Sequence, residues 1–344
     1  MPMPDFTQDR LRDALRAAQL YYLQDLTMGA IAHEMHVSRS SVSRLISLAR
    51  ETGLVEINVH SPHEARSQLE QRFADRFGVR VHVVPTPERI TEVERLERTA
   101  LSAARILASA IDSNMTIGVA WGSTLSAVTR HLPAKTTFNT QVVQMNGAAN
   151  VRTSGIPYAG EILARFADAF GAGVHPFPVP AIFDDPATKE AMWRERSVRR
   201  VLDLQASTNL FVFGLGSPHA DVPSHVYSGG YFDPETLAEI DAMGIVGDCA
   251  TNFFRIDGST EGIVLNDRSS GPDLDTVRRI PHRFCVVSSL SKAESLRGAL
   301  AAGIITELVV EESLCRQVLE SAGPRPGTGF RASAVSGARG GGPA

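Results

Sequence analysis

The sequence predicts an α/β protein in two parts. A small N-terminal helix-turn-helix domain, winged-helix-like in its extended tail, is expected over residues 1–58, and a larger Rossmann-like domain over 59–322. Three observations predict this. Residues 27–60 hold two short amphipathic helical patterns about a tight turn, then an extended stretch. Beyond residue 60, apolar β-branched runs of strand length alternate with helical patterns, the order of a largely parallel sheet covered on both faces. Residues 323–344 are rich in Gly, Pro and Ala without periodicity, which predicts a disordered tail.

In the first part, Leu11, Leu15, Ala18 and Tyr22 recur at three- and four-residue intervals and predict a helix over 10–24. Thr27 is placed to cap a second helix running to about Met35. Ser38 is placed to cap a third from Arg39 to about Thr52, with Gly53 stopping it. Ala32 is the small residue at the helix crossing, and Ile31, Met35, Val37, Val42 and Leu45 lock the pair together. Ser38, Arg39, Ser40, Ser41, Ser43 and Arg44 then remain on the outer face, where hydroxyls and guanidinium groups reach phosphates and base edges of double-stranded DNA. Thr27 joins them at the start of the preceding helix. Arg44 leads as a base-edge or phosphate contact, followed by Arg39. The turn position that usually takes Gly holds His36, a residue that tolerates positive φ better than most. A plain amphipathic pair preceding an enzyme is the alternative, but lock, cap, stop and polar face coincide within one short stretch. Residues 1–60 carry six Arg against seven acidic residues. The isolated unit is therefore expected to bind DNA weakly and to work as a homodimer or homotetramer.

In the second part, strands are expected at 79–84, 115–121, 141–145, 209–216, 283–290 and 307–312. Helices are expected near 90–111, 123–131, 158–170, 187–206, 234–242, 292–302 and 313–321. Three strand ends lead into small-residue turns before helices: Gly122-Ser123-Thr124, Gly214-Leu215-Gly216-Ser217 and Ser288-Ser289-Leu290-Ser291-Lys292. Such turns offer backbone N–H groups to an anion, Lys292 adds a full charge, and a parallel sheet brings all three to its carboxyl edge. Each turn alone is better explained by tight backbone geometry; the three together favour a phosphate cradle. The stretch 244–258 is expected to put Asp248 in a loop, either as an acceptor for sugar hydroxyls or as a turn cap. Residues 147–163 bring Arg152 to a polar lid or to a capped helix start.

The bulk properties bound the function. The formal net charge is -4, so attraction to nucleic acid has to be local. No apolar run approaches the ~20 residues of a membrane span, and the N-terminus has no apolar core of a secretory signal, so a cytoplasmic location is expected. Cys249, Cys285 and Cys315 are widely spaced, without CxxC or clustered His, and suggest buried thiols rather than a disulfide or a metal site. No cofactor is expected.

The run IAHEMHVSRSSVSRLISLARETGLVEI, then IGVAWGSTL, VFGLGS, GDCATNFFRIDG and VVSSLSKAESLRGALAAGIITELVVEE, in this order and spacing, resembles the SorC family of sugar-responsive transcription regulators over about residues 10–322. The resemblance implies a sugar-binding domain with the fold of ribose-5-phosphate isomerase, glucosamine-6-phosphate deaminase and CoA transferases, a phosphorylated sugar effector, and assembly into dimers or tetramers. It carries effector contacts to Gly122, Ser123, Thr124, Asp248 and Lys292. Arg152, Gly216, Ser217 and Ser289 are added from the turns and the lid. Ser288-Ser289 stands where the family commonly has a Gly-Gly pair. A sugar-phosphate isomerase or deaminase is the rival, because fold alone does not decide function. The sequence offers no dense acid–base constellation for it, and no catalytic residue is assigned.

Overall fold

The computed structural model describes residues 8–55, 62–87, 89–220 and 224–322. The expected wing residues 56–60 and the tail 323–344 lie outside the described residues. The chain divides into two compact units, Met1–Glu64 and Ala65–Ala344.

In the first unit α1 (Gln8–Tyr22), α2 (Met28–Glu34) and α3 (Arg39–Glu51) follow one another. Thr27 accepts the Ala30 N–H and Ser38 the Ser41 N–H, so each cap satisfies a donor that the helix start leaves open. Between them His36 has φ 53°, the left-handed conformation that lets the chain reverse in so short a turn. Ile31, Val42 and Ile46 pack with Ala17 and Leu20, while Leu48 and Ala49 pack with Ala14 and Ala18. The expected stripe on α1 is corrected here: Leu15 and Tyr22 are 39% and 36% exposed, and the contact face is built on Ala14, Ala17 and Ala18. Alanines win that face because they let α1 lie close against α3.

The second unit continues from α4 (Pro62–Phe77) through β1 (Arg80–Val84), α5 (Glu92–Ala110), β2 (Thr116–Val119), α6 (Ser123–Arg130), β3 (Gln141–Gln144), α7 (Ile156–Phe170) and β4 (Gly173–His175). It goes on with α8 (Pro186–Trp193), α9 (Arg196–Ala206), β5 (Leu210–Gly214), α10 (His225–Ser228), α11 (Pro234–Ala242), β6 (Ile245–Cys249) and β7 (Asn252–Arg255). It ends with α12 (Leu265–Arg268), α13 (Leu274–Arg279), β8 (His282–Val287), α14 (Ala293–Ala301), β9 (Glu307–Glu311) and α15 (Glu312–Ser321).

The main sheet has the order β1-β9-β8-β5-β2-β3-β4, with parallel pairing throughout. Its inner strands carry apolar stretches because both faces are buried, whereas the edge strand β4 is largely exposed. Phe211 and Phe213 point to one core with Leu308, Val310, Leu296 and Phe73. Leu210 and Val212 point to the other with Ile117, Val142, Leu107 and Phe166. From β2 the chain steps outward to β3 and β4, then returns to the other side of β2 as β5. The strand order therefore reverses between β2 and β5, which makes the crevice at their carboxyl ends the place where such folds bind ligands.

Three expectations are revised. The helix expected over 187–206 is two helices, broken at Arg194 and Glu195, where no Gly or Pro marks the stop. α4, β4, α10, α12 and α13 are additional elements. The stretch around Asp248 is no loop: β6 and β7 form an antiparallel hairpin and Asp248 sits within β6. Its turn is Ala250-Thr251, both with positive φ (48° and 66°), a conformation usually given to Asn or Gly. The tight-turn signal was therefore missing from the residue types.

Candidate functional site

The outer face of α3 is polar. On α3, Arg39, Ser40, Ser43 and Arg44 are exposed while Val42 and Ile46 are buried beneath them. Ser38 and Ser41 are drawn into the cap, with Oγ atoms 2.8 Å apart, and Thr27 is engaged at the start of α2. Arg44 donates from Nε to the Ser40 carbonyl at 3.4 Å, a long contact that leaves the rest of its guanidinium to solvent. Ser47 and Arg50 fall four and seven residues after Ser43 and prolong the polar strip. Their helical spacing was the available signal for them.

In the second unit β2, β5 and β8, neighbours in the sheet, end on one cleft. Gly122, Ser123, Thr124, Gly216, Asp248 and Lys292 line it together. A second lobe shares Ser123, Thr124, Ser224, His225 and Lys292 and adds Ser288, Ser289 and Ser291. Ser217 is buried beside the cleft. Arg152 stands exposed on the 147–155 segment with its Nε against Gly230, and it lines neither lobe.

The turns divide in role. Gly122 is the N-cap of α6 and no side chain caps that helix, so its first-turn N–H groups open beside the Ser123 and Thr124 hydroxyls. The turn after β5 is different. Gly216 N–H donates to the Asp248 carbonyl at 2.9 Å and Ser217 N–H donates to Ser224 Oγ at 3.0 Å. These two donors are already used, so the expected cradle there is corrected to a spacer. A Cβ built on Gly216 would lie 1.7 Å from Asp248 Oδ1, and glycine is what leaves room for the carboxylate. In the third turn Lys292 donates from Nζ to the Leu215 carbonyl at 2.8 Å, and Ser289 shares a 2.8 Å hydroxyl contact with Ser291.

Asp248 is the electrostatic centre of the cleft. Burial raises its carboxyl pKa to about 6, against the lowering pull of the Thr251 N–H, the Tyr227 hydroxyl and the Lys292 charge. Burial likewise lowers the Lys292 ammonium, which Asp248 counters, and pushes the buried Tyr227 hydroxyl well up. Asp248 Oδ2 accepts the Thr251 N–H at 3.0 Å. Asp248 Oδ1 and the Tyr227 hydroxyl, though near enough to influence each other, complete no hydrogen bond. Asn146 Oδ1, in the same cleft, is also buried without a partner.

Trp121 forms one wall. It donates from Nε1 to the Gly147 carbonyl at 2.7 Å and stacks on Tyr231 at 5.3 Å between centroids. Tyr158 and His225 meet it edge-on at 6.1 and 6.0 Å. Sequence reasoning missed Asn146, Trp121, Ser224, His225 and Tyr227. Ser224, His225 and Tyr227 sit together at the start of α10, while Asn146 and Trp121 come from two other strand ends, and no local spacing joins these three places. Trp121, immediately before the singled-out Gly122, carried the nearest signal.

Such a molecule is a two-part protein: a helical head with a polar outer helix, and an α/β domain with a small-ligand cleft at its sheet edge. The family model described as "Putative sugar-binding domain" matches residues 61–320, and the chain belongs to that family, among the sugar-binding transcription regulators of the SorC type. It is 28% identical over 312 residues to the deoxyribonucleoside regulator of Bacillus subtilis (strain 168), covering 89% of this chain and 96% of that protein. A domain of a "possible sugar-binding transcriptional regulator" from Arthrobacter aurescens TC1 shares 49% identity and a TM-score of 0.70, over 76% of this chain and 100% of that one. The full-length sorbitol operon regulator of Klebsiella pneumoniae matches in fold with a TM-score of 0.69 at 22% identity, over 91% of this chain and all of that one. These relatives are named as regulators, and the regulator reading stands over the isomerase or deaminase alternative. No helix among the described residues is long and apolar enough to cross a membrane.

Proposed function

We propose that the chain is a metabolite-responsive transcription regulator. The outer face of α3 enters the major groove of a double-stranded operator, and the cleft at the sheet edge binds a phosphorylated sugar or polyol. The observation that carries the reading is the polarity of the cleft. At one end are donors: the uncapped start of α6, the Ser123, Thr124 and Ser289 hydroxyls, and Lys292. At the other are the polar side chains of Asp248 and Asn146. A ligand with an anionic end and a hydroxyl-bearing end matches both.

In this reading the unit works as a homodimer or homotetramer in the cytoplasm. An effector that fits one arrangement of subunits better than another shifts the spacing of paired α3 helices and with it DNA affinity. The test has two arms. Arg44→Ala weakens specific operator binding by about 1–3 kcal/mol in a salt-controlled titration and leaves effector binding intact; unchanged operator affinity overturns the DNA arm. Lys292→Ala weakens binding of a phosphorylated sugar more than of its free counterpart; equal loss for both overturns the phosphate arm.

A further inference from the structure

We infer that His225 is a second cationic contact for the anionic end of the effector, beside Lys292, and that it makes binding of a phosphorylated ligand stronger in mild acid. This rests on the proposed effector role of the cleft and adds to it a binding residue and a pH dependence.

The charges around the cleft do not balance without it. Among the described residues that line the two lobes, Lys292 is the one fixed cation, while Asp248 and Glu92 are acidic. Arg95 offsets Glu92 from 3.3 Å, but its Nη1 is already held by Glu311 at 2.8 Å. Lys292 spends one of its three N–H groups on the Leu215 carbonyl and is attracted to the Asp248 carboxylate. A phosphate monoester carries about −1.5 to −2 charges near neutral pH. One lysine, shared with a carboxylate, leaves part of that charge uncompensated. The remaining lining side chain that can become a cation is His225.

Its surroundings fit that task. His225 opens α10 directly after Ser224 and lines both lobes together with Ser123, Thr124 and Lys292. The residue is exposed, and among the described residues its ring nitrogens have no hydrogen-bond or ion-pair partner. The other described histidines of this domain differ: His82, His131, His175, His219 and His282 each have Nε2 within 2.8 Å of a carboxylate or amide oxygen. Only ring contacts hold His225, with Tyr158 at 5.2 Å, Tyr231 at 5.8 Å and Trp121 at 6.0 Å between centroids. A Cβ on Gly229 would lie 2.9 Å from its Cε1, so glycine there gives the ring its space. The imidazole is thus positioned by its neighbours while both nitrogens stay open to a ligand.

Other groups facing the cleft must be separated from it. Burial pushes Tyr158 and Tyr231 up to about 12, so both stay neutral where imidazoles titrate. Asp248, raised to about 6, and the phosphate itself do titrate there. The comparison of variants at each pH therefore reads His225, and the wild-type profile alone does not.

The experiment uses the full-length chain and calorimetric titration with ribose 5-phosphate, glucose 6-phosphate and sorbitol 6-phosphate, at about pH 6 and about pH 8. His225→Phe keeps a ring against Trp121 and Tyr158 and removes both nitrogens. It is expected to weaken the bound sugar phosphate about tenfold at the lower pH and by less than about threefold at the higher. His225→Gln keeps a neutral donor and is expected to match the wild type at the higher pH only; it decides alone if the phenylalanine variant does not fold. No loss at the lower pH, or the same loss at both, overturns the inference. The effector reading still stands in that case if Lys292→Ala weakens the same ligand. If none of these sugar phosphates binds, the effector reading falls, and the inference with it.

Discussion

The two edges of the main sheet treat buried charge in opposite ways. At the amino edge, Glu307 begins β9 with its side chain 7% exposed, and every carboxylate oxygen is used: His82 and His282 each approach it from Nε2 at 2.6 Å, one on each oxygen, and Arg80 stands at 3.8 Å. Burial alone would raise that carboxyl, but the hydrogen bonds and charges of His282 and His82 overcome it and hold it at about 2. At the carboxyl edge, Asp248 is also buried, its Oδ1 lies beside the Tyr227 hydroxyl without a completed hydrogen bond, and its pKa rises to about 6. The same residue class is thus a satisfied strut at one end and an unsatisfied acceptor at the other. What separates a structural group from a binding group here is whether the chain supplies its own donors.

The sharpest way to break this contrast is to close the space the carboxyl edge keeps open. Gly216→Ala places a methyl on Asp248 Oδ1 and is expected to cost about 2–3 kcal/mol in urea unfolding and to abolish sugar binding; an unperturbed variant would show that the carboxylate does not need that space. Next in size, Glu307→Gln should lose about 2 kcal/mol near neutral pH while sugar affinity holds. The sign follows from the depressed pKa: the wild-type contribution is present above the unfolded value near 4.5 and is lost as pH falls toward about 2. The variant's stability should therefore be flatter over that interval.

Asp248→Asn has the opposite sign. A raised folded pKa means stability that is full below the unfolded value of 3.8 and is lost as pH rises through about 6. The ligand-free variant should therefore gain about 1–2 kcal/mol at pH 7 to 8 in thermal or urea melts while binding sugar more weakly, the trade-off expected of a site held in readiness for a ligand. A variant less stable than wild type at pH 8 would return Asp248 to the structural class. Smallest of all, Arg44→Ala on the exposed face of α3 should change stability by less than about 0.5 kcal/mol. A larger loss would mean that Arg44 is packed rather than presented.

The sequence by itself determined whatever depends on local periodicity and short-range chemistry. The Thr27 and Ser38 caps, the reversal at His36, the apolar strands of a doubly covered sheet and the gathering of Gly122 and Lys292 at one edge were all legible, because helix caps, strand burial and parallel order leave their mark within a few residues. The tertiary structure decided which groups are paired. Whether Gly216 offers its N–H to a ligand or spends it on Asp248, whether Arg152 reaches the cleft, and whether Asn146 finds a partner depend on segments distant along the chain. The β6–β7 hairpin was hidden for a related reason: its Ala250-Thr251 turn is held in positive φ by the packing around it rather than by residues that prefer that conformation. Hydrogen-bond satisfaction is a property of three-dimensional neighbours, and in this protein it separates the scaffold from the cleft.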